Sequence, residues 1–397
     1  MLVLGILGSL ALLLFLGWIL GRIAEYFTLP SLVGMLLAGI CLGPYGLNFL
    51  NQELLDVSPA LRTVALLIIL LRAGLSFAKE DLRKVRGVAL GLSIIPCLFE
   101  GVTLLFVARS ILGLGWAESG VLGFTLAAVS PAVVVPAMLT LHSEGYGQDK
   151  QIPAMLLAGA ALDDVFAITL FGVFLLFATG QATSVLWSLV QLPWNITAGI
   201  LGGFVLGLLL VQGFRRLPVK DWEKLLLTVI AAVLFWELGE RFAFAGLLGI
   251  MVMGLVLRER SSAFAHRLIA HLSGVWLVAQ IVLFSLVGAQ VNVGVLWQAG
   301  LMGIIVIFLG LLGRSLGVWI AISSTNLNVK ERFFCVIAYL PKATVQAAIG
   351  GVPLALGLES GELILAISAM AILLTAPLGA VGIRKGAPLL LEKKSMV

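Results

Sequence analysis

Long runs of apolar residues, separated by short polar stretches, occupy most of the chain. Most of these runs reach the ~20 residues that a helix needs to cross the ~30 Å hydrocarbon core of a bilayer. The pattern predicts about thirteen membrane helices, at residues 2–21, 30–50, 57–78, 86–113, 116–141, 151–178, 186–213, 223–239, 243–257, 272–290, 295–323, 333–357 and 362–383. The fold class that it predicts is an all-α, polytopic membrane protein.

The amino-acid composition supports a membrane location. Of the 397 residues, 61% are hydrophobic and only 11% are charged, whereas about a quarter of the residues in a typical soluble domain are charged. So few charges cannot cover the surface of a soluble globule, which excludes a soluble enzyme, a disordered protein and a repeat array. The net charge of +5 does not indicate nucleic acid as a partner. The expected partner of this surface is the lipid bilayer.

Lysine and arginine are concentrated in alternate loops. Nineteen of the 25 basic residues fall in one set of loops and in the C-terminal tail, and the opposite loops contain only Arg241. Because cytoplasmic loops carry such an excess, we expect the N-terminus outside and the C-terminus in the cytoplasm. No secretory signal is expected, because Met1 leads directly into an apolar segment without a basic region.

Two six-helix halves, at residues 2–178 and 223–383, are predicted on either side of the seventh span. Because a single helix connects the halves, the second half enters the membrane from the opposite side to the first. This arrangement predicts an inverted repeat. Each half is interrupted in its fifth helix, by Ser130-Pro131 in the first half and by Pro341-Lys342 in the second. Proline removes a backbone donor and breaks a helix. Paired breaks at corresponding positions indicate a transporter binding site.

Two adjacent acidic residues, Asp163 and Asp164, lie in the middle of the sixth span. A charge at this depth is costly and by default indicates function. Neighbouring helical residues point ~100° apart, so one carboxylate can face a cavity while the other faces a neighbouring helix. A purely structural hydrogen bond would account for one aspartate better than for two, because two neighbouring carboxylates repel each other.

Four further charged residues are expected within or near the membrane. Lys342 at the second break can pair with a carboxylate, and it can also offset the dipole of a half-helix C-terminus; both roles can hold at once. Glu100 and Arg314 occupy corresponding positions of the two halves and would form a buried ion pair. Arg72 ends an apolar run and is expected near the interface or in an ion pair.

Four segments carry a resemblance to a known family. The chain reads LRAGL at 71–75, LGFTLAAVSPAVVVP at 122–136, LDDVFAI at 162–168 and LPKATVQAAIG at 340–350. In this order, and over nearly the whole chain, they closely resemble the monovalent cation:proton antiporter superfamily and, within it, the NHA-type sodium/proton exchangers. Many bacterial relatives have Thr-Asp-Pro at the first break, where this chain has Val-Ser-Pro; its Ser130 would lie beside the ion site.

The resemblance implies the sodium/proton antiporter fold, with two inverted repeats and two crossed, broken helices. An ion-carrying core would comprise residues 86–178 and 295–383, and a dimerisation scaffold residues 1–78 and 223–290, with a connecting helix at 186–213. Relatives of this kind are homodimers that work by elevator-like alternating access. A homodimer is therefore expected here.

The same resemblance implies roles for the deep charged residues. Asp164 would be the principal ligand of the cation and of the proton, and Asp163 the second acidic ligand and the partner of Lys342. Na⁺ is thus expected at Asp163 and Asp164, with Lys342 coupling the charges. Glu100 and Arg314 would be the structural ion pair of the core.

The implied function is secondary active exchange of Na⁺ or Li⁺ for H⁺ by alternating access. Electrogenic exchange of two protons per sodium and one-for-one exchange both remain open. A K⁺/H⁺ antiporter and a sodium-coupled organic-anion symporter remain as alternatives, whereas an intramembrane aspartyl protease would need its aspartates on different helices. We expect no enzyme activity, no cofactor and no soluble nucleotide-binding regulatory domain, since G-x-G-x-x-G does not follow the last span. A bacterial plasma membrane is the expected location.

Overall fold

A computed structural model describes residues 5–27, 29–76, 79–180, 185–216, 219–242 and 244–393. These residues form seventeen helices: α1 Ile6–Tyr26, α2 Ser31–Leu42, α3 Gln52–Asp56, α4 Ser58–Ser76, α5 Lys79–Leu112, α6 Trp116–Leu126, α7 Pro131–Glu144, α8 Ile152–Ala178, α9 Val185–Arg216, α10 Asp221–Phe242, α11 Gly246–Arg260, α12 Ser262–Gln290, α13 Val293–Ala321, α14 Val329–Ala338, α15 Thr344–Ile349, α16 Val352–Ala355 and α17 Gly361–Leu390. The predicted all-α class is confirmed.

Each apolar run of the sequence corresponds to one helix or to one interrupted helix. Among the described residues, nine helices are long and apolar enough to cross a membrane, and two shorter apolar stretches lie at Ser31–Leu42 and Thr344–Ala355. The count of thirteen crossings stays a prediction. The orientation prediction rests partly on the side chains of Lys79, Arg83, Lys84, Arg86 and Lys394, which lie outside the described residues.

The described chain packs as two compact units. The first contains residues of Met1–Arg62, Val85–Gln181 and Ile281–Val397, and the second contains residues of Thr63–Lys84 and Ala182–Gln280. Both segments of the predicted ion-carrying core fall in the first unit, together with α1, α2 and α3. The predicted division into core and dimerisation scaffold stays a prediction.

Both predicted breaks are present in the first unit. One helix ends at Leu126 and the next begins at Pro131, and the second interruption separates Ala338 from Thr344. The backbone N–H of Ser130 donates to the carbonyl of Pro341 at 2.8 Å, so the two breaks are joined directly. Proline cannot donate from its own nitrogen, and in this pair it contributes the accepting carbonyl.

In the second unit, α9 packs closely on α11 because α9 presents glycines along one face. A Cβ at Gly199 would overlap the carbonyl of Ala245, and a Cβ at Gly203 would overlap the backbone of Gly249. Small residues four apart allow two helix backbones to approach closely within a bilayer. These glycines of α9 therefore serve helix packing.

Candidate ion-binding site

The two adjacent aspartates lie midway along α8, in a buried cluster of charged groups. Asp163 is 0% exposed and Asp164 is 3% exposed. The Asp163 carboxylate is held firmly: its Oδ2 accepts hydrogen bonds from the backbone N–H of Val129 at 2.6 Å and from Nη2 of Arg314 at 2.8 Å. This contact links α8 to the first break.

Asp164 has a different environment from its neighbour. Among the residues that the structure describes, no donor lies within hydrogen-bonding distance of its carboxylate, and Oδ1 is buried without a partner. A buried carboxylate without a donor is unfavourable, so this group requires a proton or a cation. The two aspartates are thus chemically distinct: one is anchored and the other is available.

Arg314 of α13 organises the cluster from its centre. Its Nη1 contacts Glu100 Oε2 at 2.8 Å and the carbonyl of Ala127 at 2.5 Å, and its Nε donates to the carbonyl of Tyr339 at 2.6 Å. Ala127 and Tyr339 are the C-caps of α6 and α14. A cation is favourable there because the C-terminal end of a helix carries partial negative charge. One guanidinium thereby binds both half-helix ends as well as two carboxylates.

The partner of Lys342 differs from the one expected. Its Nζ contacts Glu100 Oε2 at 2.5 Å, whereas the expected partner, Asp163, pairs with Arg314. The reason is that the guanidinium, with five donors in a fixed fork, already occupies Oδ2 of Asp163, and Glu100 reaches both cations from α5. The predicted ion pair between Glu100 and Arg314 is present.

The buried cluster has an excess of negative charge when every member is ionised. It contains three carboxylates, of Asp163, Asp164 and Glu100, and two cations, Arg314 and Lys342, which leaves a net charge of −1. Arg72, which the sequence predicts near the interface or in an ion pair, belongs to the second unit. The surplus charge resides on Asp164, because the other two carboxylates each contact a cation.

Polar residues of the two breaks complete the site. Ser130 is the N-cap of α7, and its hydroxyl oxygen is buried without a hydrogen-bond partner in the described part of the chain. The same holds for Thr344 Oγ1 and Gln346 Oε1 of α15. No role was predicted from the sequence for these last two residues; the signal for them is a glutamine within the apolar stretch that follows Pro341.

Two helix breaks joined by a backbone hydrogen bond, beside a buried and negatively charged cluster, define an ion-coupled membrane transporter. A family model described as "Sodium/hydrogen exchanger, transmembrane" matches residues 10–384. Human sodium/hydrogen exchanger 9B2 is 36% identical over 385 residues, which is 92% of this chain and 70% of that protein. Human sodium/hydrogen exchanger 9B1 is 34% identical over 377 residues, or 89% and 70% of the two chains. The chain belongs to the sodium/hydrogen exchanger family.

The fold comparison agrees with the family. The solved structure of the sodium proton antiporter MjNhaP1 from Methanocaldococcus jannaschii at pH 8 matches with a TM-score of 0.85, over 97% of this chain and 98% of that one. Its sequence is 20% identical, so this likeness shows the shared fold. The predicted superfamily and the predicted Na⁺/H⁺ antiport are confirmed. The symporter and K⁺/H⁺ alternatives are not favoured by these relatives.

Proposed function

We propose that Asp164 is the group that binds Na⁺ and H⁺ in turn during exchange. The observation that carries this assignment is the contrast between the two aspartates of α8. Asp163 is bound by Arg314 and by the N–H of Val129, whereas the buried Asp164 has no donor among the described residues. Asp163, one residue away, and Ser130, at the break, are the proposed neighbouring oxygen ligands.

Charge balance explains how one carboxylate can couple the two ions. With Asp164 ionised and empty, the cluster carries a net −1, and a buried unpaired charge is strongly disfavoured in low dielectric. Either one Na⁺ or one proton at Asp164 makes the cluster neutral. Only these two loaded forms are expected to change their access from one side of the membrane to the other. Because Na⁺ and H⁺ compete for the same carboxylate, one ion is exchanged for the other. The empty, charged form does not change its access, which prevents a leak of either ion.

The same contacts favour exchange of one proton for one sodium ion. A second coupled proton would require Asp163 and Lys342 to release each other when sodium binds, but these residues pair with Arg314 and Glu100 instead. Of the three carboxylates in the buried cluster, only Asp164 is left without a counter-charge among the described residues. The proposed transport is therefore electroneutral.

The test of the site uses purified protein in sealed liposomes that hold a pH gradient and a pH-sensitive dye. Addition of Na⁺ or Li⁺ to the wild-type protein is expected to dissipate the gradient, and Asp164→Asn is expected to abolish the response. Asp221→Asn is the matched control, because Asp221 is an aspartate of the second unit that pairs with Arg267. Full activity of Asp164→Asn would overturn the assignment. A response to K⁺ alone would favour the potassium antiporter.

Electroneutrality is tested in the same liposomes with the membrane potential clamped at different values. One-for-one exchange moves no net charge, so the initial rate should be independent of the potential. Movement of one net charge would couple to the field by ~2.3 kcal/mol per 100 mV. A rate that rises or falls steeply with the potential would support two protons per sodium.

The remaining features of the proposal rest on the family resemblance and on charge patterning. We place the protein in a bacterial plasma membrane, as a homodimer with its N-terminus outside and its C-terminus in the cytoplasm. It acts by elevator-like alternating access, without cofactor and without enzyme activity. Mass measurement of the detergent-solubilised protein checks the dimer, since a monomeric mass at working concentrations would contradict it.

A further inference from the structure

The side-chain amide of Gln346 is bound in one orientation only. Its Nε2 donates to the carbonyls of Ala128 at 3.0 Å and Thr125 at 3.1 Å, with a longer contact to Leu126 at 3.4 Å. A flipped amide would place its oxygen against these carbonyl oxygens, which would repel it. The hydrogen-bond network therefore determines the position of Oε1. That oxygen has no donor among the described residues, although Gln346 is fully buried.

Thr344, two residues earlier on α15, has an oxygen in the same condition. Its side chain is 1% exposed and its Oγ1 has no partner in the described part of the chain. An unsatisfied buried oxygen costs about 1–3 kcal/mol, and native proteins contain few of them. Two such oxygens lie on a six-residue helix that packs against α8, where the Asp164 carboxylate is also buried without a donor in the described structure. Together they indicate a missing positive partner.

Direct contacts bring α15 to the carboxylates. Three consecutive residues of the first break each bind a different part of the site: Ala128 accepts from Gln346, Val129 donates to Asp163, and Ser130 donates to the carbonyl of Pro341. The helix α15 also packs against α6 and α8. The unpartnered oxygens of both breaks are thus carried by α7 and α15, two helices that pack against α8, the helix that contains Asp164.

We infer that Gln346 Oε1 and Thr344 Oγ1 are further oxygen ligands of the transported cation, contributed by the second break. The inference rests on the proposed role of Asp164 as the cation-binding carboxylate. Hard monovalent and divalent cations prefer several oxygen ligands that replace their hydration shell. Carboxylate, hydroxyl and amide oxygens from α8, α7 and α15 form such a set. The neutral ligands hold the cation without adding charge, so the cluster stays neutral when one Na⁺ is bound.

The same oxygens respond differently to a sodium ion and to a proton at Asp164. The protonated carboxyl has one O–H donor, which can satisfy only one acceptor, whereas a cation can contact several oxygens at once. Gln346 and Thr344 therefore stabilise the sodium-loaded form more than the proton-loaded form. Their removal should weaken sodium binding and change the preference between Li⁺ and Na⁺, with a smaller effect on the proton.

The experiment compares two identical substitutions at fully buried threonines. Thr344→Val removes an oxygen without a partner, whereas Thr125→Val removes a hydroxyl that already donates to Val121 O at 2.7 Å. Sodium affinity is measured at alkaline pH, from the protection that NaCl and LiCl give the full-length protein against thermal unfolding. We expect Thr344→Val to weaken sodium binding about tenfold, the size of one lost interaction of this kind, and Thr125→Val to bind like the wild type.

A second pair tests the glutamine in the same way. Gln346→Met removes the amide from the site, and Gln290→Met is its control, because the Gln290 amide donates to Ser58 Oγ instead. Gln346→Met is expected to weaken sodium binding about tenfold and to shift the ratio of Li⁺ to Na⁺ affinity, with Gln290→Met unchanged. If Gln346→Met does not fold, the threonine pair decides.

Two results would overturn the inference. One is a sodium affinity of Thr344→Val within about twofold of the wild type, since a lost ligand costs more than this. The other is an equal loss in Thr125→Val, which would indicate a general packing effect. These outcomes differ from failure of the proposed function, in which Asp164→Asn would retain sodium binding and sodium-dependent proton movement. If the wild type binds sodium normally and both threonine variants bind it equally well, Asp164 remains the proposed cation ligand, but the residues of α15 are not ligands.

Discussion

At the scale of single residues, the site depends on how five buried charges share a small number of contacts. Arg314 contacts two carboxylates and two helix-end carbonyls, and Lys342 contacts the oxygen of Glu100 that Arg314 also binds. Breaking a buried ion pair by removing one partner costs more than removing both, because a lone charge is left behind. The charge balance of the cluster is therefore open to a direct test.

Replacement of the lysine alone should be worse than replacement of the pair. Lys342→Met changes the net charge of the cluster from −1 to −2, and we expect the free energy of unfolding to fall by about 3 kcal/mol or more. Adding Glu100→Gln restores the net charge and leaves an acceptor for Arg314, so the double variant should be more stable than Lys342→Met. Thermal unfolding of the detergent-purified variants checks this. Additive losses would show that the pair does not interact as described.

At the scale of helical elements, the breaks persist because neighbouring backbone fills the space around them. Gly379 of α17 lies against Pro341, and a Cβ at this glycine would overlap the proline ring. The helix α17 can therefore pass beside the second break only where it has no side chain. The sequence shows the proline and the glycine, but their 38-residue separation conceals the contact.

A pair of glycine variants in α17 tests this packing. Alanine normally favours a helix over glycine by up to ~1 kcal/mol, and Gly386→Ala should be neutral or stabilising because its Cβ would meet Leu390 Cδ1 at 3.4 Å. Gly379→Ala should instead destabilise the protein by about 1–3 kcal/mol through overpacking and slow sodium-driven proton movement. Equal melting temperatures for the two variants would be inconsistent with contact at Pro341.

A second element-scale contact joins the starts of α8 and α14. Lys150 Nζ lies 2.8 Å from a carboxylate oxygen of Glu331, which is 2% exposed and caps α14 together with Asn328. The hydrogen bond from this lysine to Glu331 raises the pKa of Lys150 above its ordinary value of 10.5. Because the pKa is raised on folding, the contact stabilises the folded state fully below the ordinary pKa and loses this effect as the pH rises above it.

Lys150→Gln should therefore lower the melting temperature relative to the wild type at neutral pH. The difference should stay constant up to pH 10.5 and shrink above that value, as the lysine of the wild type loses its proton. Lys330→Gln is the control. Lys330 is an exposed lysine on α14, next to Glu331, and it makes no ion pair with the described residues. A difference between wild type and Lys150→Gln that grows with pH would contradict the assignment.

At the scale of the whole molecule, loops predicted on the same side of the membrane contact one another within the first unit. On the predicted inner side, Gly147 donates to the carbonyl of Glu392 at 2.9 Å, near the Lys150 contact. On the predicted outer side, Ser360 donates to Glu118 at 2.7 Å. These contacts are consistent with the alternation of spans that the lysine and arginine pattern predicts, and the absolute orientation stays a prediction of the positive-inside rule.

Cysteine labelling in intact cells checks that orientation. Cys41, Cys97 and Cys335 are first replaced, and single cysteines are introduced as Glu359→Cys or Lys330→Cys, both at exposed positions. A membrane-impermeant maleimide should label Glu359→Cys from outside and should label Lys330→Cys only after the cells are opened. The reverse pattern would place the N-terminus in the cytoplasm.

Sequence patterns alone were enough to predict the membrane class, the positions of the helices, both breaks and the buried acidic residues. These features depend on local properties: apolar length, the missing N–H of proline and the cost of a charge in the membrane. The predicted pair of Glu100 with Arg314, which lie at corresponding positions of the two predicted halves, was also confirmed. The family followed from short motifs that lie around the breaks.

The pairing of each cation with its carboxylate, in contrast, depends on the folded structure. Glu100 and Lys342 are 242 residues apart, and Asp163 and Arg314 are 151 apart, so no local pattern distinguishes this pairing from the expected pair of Asp163 and Lys342. The pairing depends on the position of the Arg314 guanidinium between the C-terminal ends of α6 and α14. The same reason applies to Gln346, whose free oxygen is defined by carbonyls about 220 residues away on the first broken helix.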